Sequence, residues 1–282
     1  MNFKSFYIVY YKHRLKKSHF LLKLYIFLIL PISYIINKLL YPSIVDLDKL
    51  STKNNNLFKK DLNYLFQYFN SDKGEKLINQ YRKPLNNVDT PIDGHCYHEY
   101  YESFFSPKKN QQIDFLEIGA FKGNAAAAFF FYFKNANIIS CDLLPDLFLY
   151  KSKRIKKFKI DNSSEIQLKN KILKNNYKFD IIIEDAGHYL KDQIITLFNL
   201  FECLKSKGIF VIEELDFPDT RRDMNIFNES PTLKEILISL QNNKDFESKY
   251  VSLSQKKYFL ENFHEINIFK GAFNEIAFIT KK

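Results

Sequence analysis

The segment Phe115-Leu116-Glu117-Ile118-Gly119-Ala120-Phe121-Lys122-Gly123 limits the architectures open to this chain more than any other stretch. Glycine is scarce, with 7 among 282 residues, and two of them stand here. An apolar run that ends Glu-x-Gly-x-x-x-Gly and passes straight into Ala125-Ala126-Ala127-Ala128 reads as a buried strand, a sharp turn and a helix. Glycine at the end of the strand permits the turn and a close approach of a ligand to the backbone. The spacing is not the Gly-x-Gly-x-x-Gly of dinucleotide binders. The acid on the strand, Glu117, suits a cationic ligand better than a pyrophosphate. A tight strand-to-helix turn with no ligand produces the same pattern, so the rest of the chain has to decide.

From residue 113 onward the pattern alternates. Strands are expected at Ile113–Ile118, Ile138–Cys141, Phe158–Ile160, Phe179–Ile183 and Gly208–Ile212. Helices are expected at Gly123–Phe133, Lys191–Leu204 and Pro231–Leu240, and Glu265–Phe269 with Glu275–Thr280 reads as a closing antiparallel pair. Such alternation predicts an α/β fold with a mostly parallel sheet and helices on both faces. Ligands of these sheets sit outside the carboxyl ends of the strands. Ahead of this domain, 113–282, we read 61–112 as a helical lead-in with a helix at Asp61–Phe69. Residues 43–60 are polar and read as a linker, and 1–42 form a basic, apolar segment.

The strand ends carry the chemistry. Asp142 closes the second strand, where a carboxylate would accept hydrogen bonds from a ribose diol, although such an acid is also an ordinary helix cap. Asp161 and Asn162 follow the third strand, as base contacts or as part of an N-cap cluster with Ser163 and Ser164. The fourth ends Glu184-Asp185-Ala186-Gly187-His188 and the fifth Ile212-Glu213-Glu214. Adjacent ends open into one cleft, which gathers Asp185, His188, Glu213 and Glu214. Three carboxylates without cysteine favour a hard cation, Mg²⁺ before Zn²⁺, and leave His188 free as a general base. A charged loop and a helix-capping histidine are the plain alternatives.

The net charge of +10 invites a nucleic-acid partner, but its distribution argues against one. Residues 1–60 hold 11 Lys/Arg and 2 Asp/Glu, whereas the other 222 residues hold 31 and 30. The basic excess accompanies the longest apolar run, Phe20 to Ile36, broken by Lys23 and Pro31. Seventeen helical residues span roughly 25 Å, short of the about 30 Å of a bilayer core. We expect an interfacial helix on an anionic membrane surface, with the domain in the cytoplasm as a peripheral membrane protein. A single-span anchor is the first alternative. The second is a helix packed on the domain or on a second subunit, which would make the chain a homo-oligomer. The 3 cysteines, Cys96, Cys141 and Cys203, form no Cys-x-x-Cys pair and support neither a disulfide framework nor a zinc ribbon.

Across residues 70–282 the chain resembles the class I S-adenosylmethionine-dependent methyltransferases, and more narrowly the macrocin-type sugar O-methyltransferases. The resemblance is carried by Ser71-Asp72-Lys73-Gly74, His95-x-Tyr97 with Tyr101-Glu102, Leu116-Glu117-Ile118-Gly119, Asp161-Asn162-Ser163, Glu184-Asp185-Ala186-Gly187-His188 and Gly208 to Glu214. It implies a Rossmann-like methyltransferase domain over 113–282, with the N-terminal helical extension outside the shared region. It implies S-adenosylmethionine bound by Glu117, Gly119, Gly123, Asp142, Asp161, Asn162 and Asp185. It implies Mg²⁺ held by Asp185, Glu213 and Glu214, and His188 as the base. The family usually reads Asp-Asp-Gly-Ser-His where this chain has Glu184 to His188, and often Glu-Asp at Glu213-Glu214. The expected reaction is methylation of a sugar hydroxyl on a small-molecule or lipid-linked acceptor. The rivals are a metal-dependent hydroxylase with similar motifs and a non-catalytic, membrane-tethered binding domain.

Overall fold

The computed structural model describes residues 1–16, 18–86 and 90–282, apart from the side chains of His13 and Arg14. Its centre is a seven-stranded sheet of β1 (Gln112–Ile118), β2 (Asn135–Asp142), β3 (Ile155–Lys159), β4 (Phe179–Glu184), β5 (Leu204–Ile212), β6 (Phe263–Lys270) and β7 (Glu275–Lys281). The spatial order is β6-β7-β5-β4-β1-β2-β3. Strands β1 to β5 pair in parallel, and β7 runs antiparallel to both β5 and β6. The order reverses between β1 and β4, and that crevice is where ligands of open α/β sheets bind.

Strand period two divides the core into two layers. Phe115, Ile181, Ile183, Ile209, Val211, Ile276 and Phe278 face one side. There they meet α3 (Leu62–Tyr68), α4 (His98–Phe105) and α5 (Asn124–Tyr132), with Phe129 packed edge-on against Phe66 and Tyr101. Leu116, Ile118, Ile182, Phe210, Ile212, Ala277 and Ile279 face the other side. That side is covered by α6 (Glu165–Lys171), α7 (Leu190–Leu200), α9 (Leu233–Gln241) and α10 (Leu253–Asn262). A short α8 (Phe217–Thr220) precedes α9. Every residue of α5 is buried, and its four alanines let the helix lie close to the sheet.

Three expectations need correction. Residues 43–60 are not a free linker. They form α2 (Leu47–Lys53) and a 3₁₀ turn (Asn55–Lys59), and Leu47 and Leu57 are fully buried in the first core layer. The polar composition had masked two apolar anchors spaced to reach α5. Strand β3 begins at Ile155 rather than Phe158, because edge pairing with β2 tolerates its lysines. Helix α10 was not expected. Its exposed, lysine-bearing surface hides the periodic signal, and it is fixed by a Ser252–Gln255 capping box and a buried Phe259.

The N-terminal segment is a helical hairpin. Residues 3–16 fold back on α1 (Phe20–Leu39), and Phe6 and Phe3 pack on Tyr34. Helix α1 runs through Pro31 and is 20 residues long, with the length and apolarity of a membrane span. Only Leu30 and Asn37 are buried within it, while Phe20, Leu21, Phe27, Leu28 and Leu39 are exposed. The hairpin is tied to the domain at polar points. Asn37 Oδ1 accepts from Leu85 N at 3.0 Å, Tyr41 OH donates to Leu147 O at 2.7 Å, and Lys83 Nζ donates to Tyr11 OH at 2.6 Å. Asn2 N and Ser5 Oγ both donate to Asp146.

Packing of the 47–59 segment can be checked by truncating one anchor. Leu57→Ala should cost about 2–5 kcal/mol in urea unfolding, as for a buried core leucine. A free linker would lose less than about 0.5 kcal/mol.

Candidate active site

Register brings the chemistry to one level. Ile118 pairs with both Cys141 and Glu184, and Glu184 pairs with Ile212. Gly119, Asp142, Asp185 and Glu213 therefore leave the sheet side by side. Their ends open into a cleft of about 480 Å³ that Gly119, Asp142, Asp161, Asn162, Asp185 and His188 help to line.

Gly119 is needed for a reason beyond ligand approach. Its φ is +99°, and a Cβ there would lie 1.9 Å from the Asp185 carbonyl oxygen. The backbones of β1 and β4 touch at the switch point, so any side chain would force them apart. Gly123, at φ +79°, caps α5, and a Cβ would strike the Phe148 ring at 2.5 Å. Three non-glycine residues around the cleft also hold positive φ: Phe121 (43°), His188 (55°) and Glu214 (44°). Such backbone is strained and is kept only where the surroundings impose it.

The centre of the site is a buried charge cluster. Lys73, 1% exposed, places its ammonium against Asp185 and 2.7 Å from Glu213 Oε1. Tyr101 OH donates to the same Glu213 oxygen at 2.5 Å. His188 Nε2 lies 3.8 Å from Asp185 Oδ1 and 3.7 Å from Glu214 Oε2. His95 Nε2 lies 3.2 Å from Glu214 Oε1. Burial, then the neighbouring Asp185, pushes the Glu213 and Glu214 carboxyls well above their ordinary range, while Lys73 pulls them down. Burial pushes His188 down to about 4, although Asp185 opposes it, so the imidazole is neutral at pH 7.

The remaining expected residues occupy the cleft wall. Asp142 accepts from Phe121 N and Leu144 N, both at 2.7 Å, and so holds the glycine turn as well as facing the cleft. Asp161 Oδ1 accepts from Ser163 N and Oγ, and Ser164 caps α6, so the cap cluster and the cleft wall coincide. Asn162 Nδ2 donates to Glu184 Oε1 at 3.3 Å. Glu117 is buried on the α5 side of β1, where desolvation raises its carboxyl to about 7. The three groups that converge closely enough for one cation are Asp185, His188 and Glu214, with donor atoms within 4.8 Å of one another. Glu213, expected among the ligands, instead directs Oε1 to Lys73 and Tyr101.

Sequence reasoning gave no role to Lys73, Tyr101, His95 or Tyr81, all from the lead-in. A short hairpin, Lys76–Ile78 with Pro91–Asp93, and the bonds His95 N→Asp72 O and Tyr97 N→Lys73 O fold that segment over the strand ends. Tyr81 stacks on Phe121 at 5.4 Å and donates to Asp72. A lysine in a Ser-Asp-Lys-Gly turn reads as a surface residue, and no local signal marks it as buried.

No family model and no curated protein matches the sequence. Solved structures do. The MycE methyltransferase of the mycinamycin biosynthetic pathway, in complex with Mg and SAH, superimposes with a TM-score of 0.59 at 19% identity, over 79% of this chain and 55% of that one. The same enzyme with Mg, SAH and mycinamycin VI gives 0.59 at 20% identity, over 79% and 54%. The fold is that of the S-adenosylmethionine-dependent methyltransferases. This chain spans little more than half the length of those structures.

One of the buried acids with an unpaired oxygen is Glu184, beside the switch point. Glu184 Oε2 has no partner among the described residues, and burial, followed by Asp185, raises the carboxyl to about 8. The folded protein therefore holds a proton that the unfolded chain releases near the ordinary glutamate value. Between about pH 4.5 and 8 this acid takes stability away as pH rises. Glu184→Gln in chelator should raise the melting temperature by a few degrees at pH 8, with the gain vanishing by pH 4.5. Calorimetric melts across that range provide the check.

Proposed function

We propose that the chain is an S-adenosylmethionine-dependent O-methyltransferase acting on a sugar hydroxyl, with a divalent cation assisting. The observation that carries this reading is the half-buried His188, whose Nε2 faces the Asp185 and Glu214 carboxylates and which lines the same cleft as the Gly119 turn and Asp142. S-adenosylmethionine supplies an electrophilic methyl group when bound. The Gly119 turn, Asp142 and the Asp161–Asn162 wall would hold it, and the acids of the cleft, Glu117 and Asp185 among them, suit its sulfonium charge.

The residues also fit a hard cation. Glu214 Oε2 and His188 Nδ1 are buried and unpartnered among the described residues, and Asp185 and Glu214 contribute oxygen donors. The carboxylates of Asp185 and Glu214 beside a third, Glu213, exceed the single charge of Lys73, and a divalent ion would offset the excess. Asp185 and Glu214 would hold Mg²⁺, which would lower the pKa of a bound hydroxyl. His188 Nε2, unprotonated at neutral pH, takes the proton from the acceptor hydroxyl. Tyr101 and Lys73 keep Glu213 fixed behind it. The cleft aligns the acceptor oxygen with the methyl group, and positioning is the protein's main contribution.

His188→Ala should retain S-adenosylmethionine binding and lower turnover about 10²–10⁴-fold. Excess Mg²⁺ should partly rescue Asp185→Asn and leave His188→Ala unrescued. Methyl transfer to a panel of glycosides, followed by mass spectrometry across a Mg²⁺ titration, tests the turnover and rescue statements, and calorimetric titration tests S-adenosylmethionine binding. Full activity in chelator would remove the metal from the reading.

The hairpin supports a membrane-associated enzyme and a lipid-linked acceptor. Its exposed apolar face lies in a segment with seven basic residues and no acid before Asp46. A bilayer with anionic headgroups complements both. Flotation with vesicles should recover the protein on anionic lipid at low salt and lose it as salt rises, whereas a spanning anchor would resist salt.

A further inference from the structure

The lining of the cleft is strongly one-sided in charge. Asp72, Glu117, Asp142, Asp161, Asp185 and Asp192 supply carboxylates, and Lys73 and Lys122 supply the only ammonium groups there among the described residues. The charge of Lys73 is already committed to Asp185 and Glu213. Lys122 differs. Its ammonium donates to the Gln80 carbonyl oxygen and lies 5.3 Å from the centre of the Phe121 ring. It forms no ion pair among the described residues. Desolvation alone, with no acid pulling the other way, brings its pKa down to about 8. A lysine drawn out of water without a counter-charge is costly, and an anion arriving beside it restores what burial took away.

Its position is specific as well. Lys122 lies in the turn between Gly119 and the first residue of α5, and its main chain is fixed by Leu149 N→Lys122 O at 2.9 Å. Gln80 is held in turn by Asn124 Nδ2 at 2.8 Å and by Asp72 at 3.1 Å. The ammonium is therefore carried on a turn of the cleft lining whose main chain and hydrogen-bond partner are both fixed.

S-adenosylmethionine carries two positive groups, the sulfonium and the α-ammonium, and one negative group, its carboxylate. The acids of the lining favour the first two, and Lys122 is the lining ammonium with no carboxylate partner among the described residues, free to receive the third. We infer that Lys122 binds the carboxylate of the amino-acid moiety and thereby sets which way round the ligand lies. This inference rests on the methyltransferase reading given above.

The test uses the full chain, with S-adenosylmethionine and its decarboxylated analogue, which keeps the sulfonium and the amine and lacks only the carboxylate. Calorimetric titration of the unmodified protein should show tighter binding of the first. Lys122→Met should weaken S-adenosylmethionine about 10–100-fold, the worth of a charge-assisted hydrogen bond, and leave the analogue unchanged. Lys122→Arg should keep most of the preference. Because Lys122→Met removes an uncompensated charge, its melting temperature should not fall, which excludes general damage as the cause. Equal weakening of both ligands, or no weakening of either, overturns the role of Lys122 while leaving the methyltransferase reading intact. If the unmodified protein binds neither ligand, the methyltransferase reading fails and takes this inference with it.

Discussion

The ammonium of Lys73, set between Asp185 and Glu213, is the contact on which the site depends. It comes from the lead-in, whereas both acids come from strand ends, so one buried charge joins two parts of the chain that the first core layer also packs together. Its backbone carbonyl also accepts from Tyr97 N and His98 N, which starts α4 and carries Tyr101 to Glu213. Burying Glu213 beside Asp185 without this cation would leave it with its full desolvation cost. An apolar replacement at position 73 would not relieve that cost, because the acids would remain. Lead-in and sheet are in this sense a single unit.

Much of the architecture was legible because its signals are local. Strand runs of isoleucine, the scarcity of glycine and the acids at the strand ends are all read within a few residues. Parallel pairing then follows from alternation, and register makes the strand ends neighbours. What escaped depends on distance. Leu57 looks like one apolar residue in a polar stretch until α5 is placed beneath it. His95 reaches Glu214 only after 91–93 has paired with 76–78. Glu213 looked equivalent to Glu214 in sequence, yet the first turns to Lys73 and Tyr101 and the second to the two histidines. Adjacent residues at a strand end point in opposite directions, and the positive φ of Glu214 accentuates the difference.

The electrostatic character of the cleft is not the sum of its charges at pH 7. Burial holds Glu117 and Glu184 near neutrality of charge, at about 7 and about 8, while His188 stays unprotonated. A cationic ligand would find acids ready to give up protons, so its binding is linked to proton release. The same desolvation that makes the charged form of these acids costly makes each of them respond strongly to a positive charge nearby.

The hairpin's few anchors fall on two segments that continue directly into the cleft wall. Leu85 and Lys83 follow Gln80 and Tyr81, and Asp146 and Leu147 follow Asp142 and Leu143. Removing the first 42 residues would therefore expose four polar partners at the rim and release both edges of the cleft together. The segment is in this sense a brace for the cleft rim.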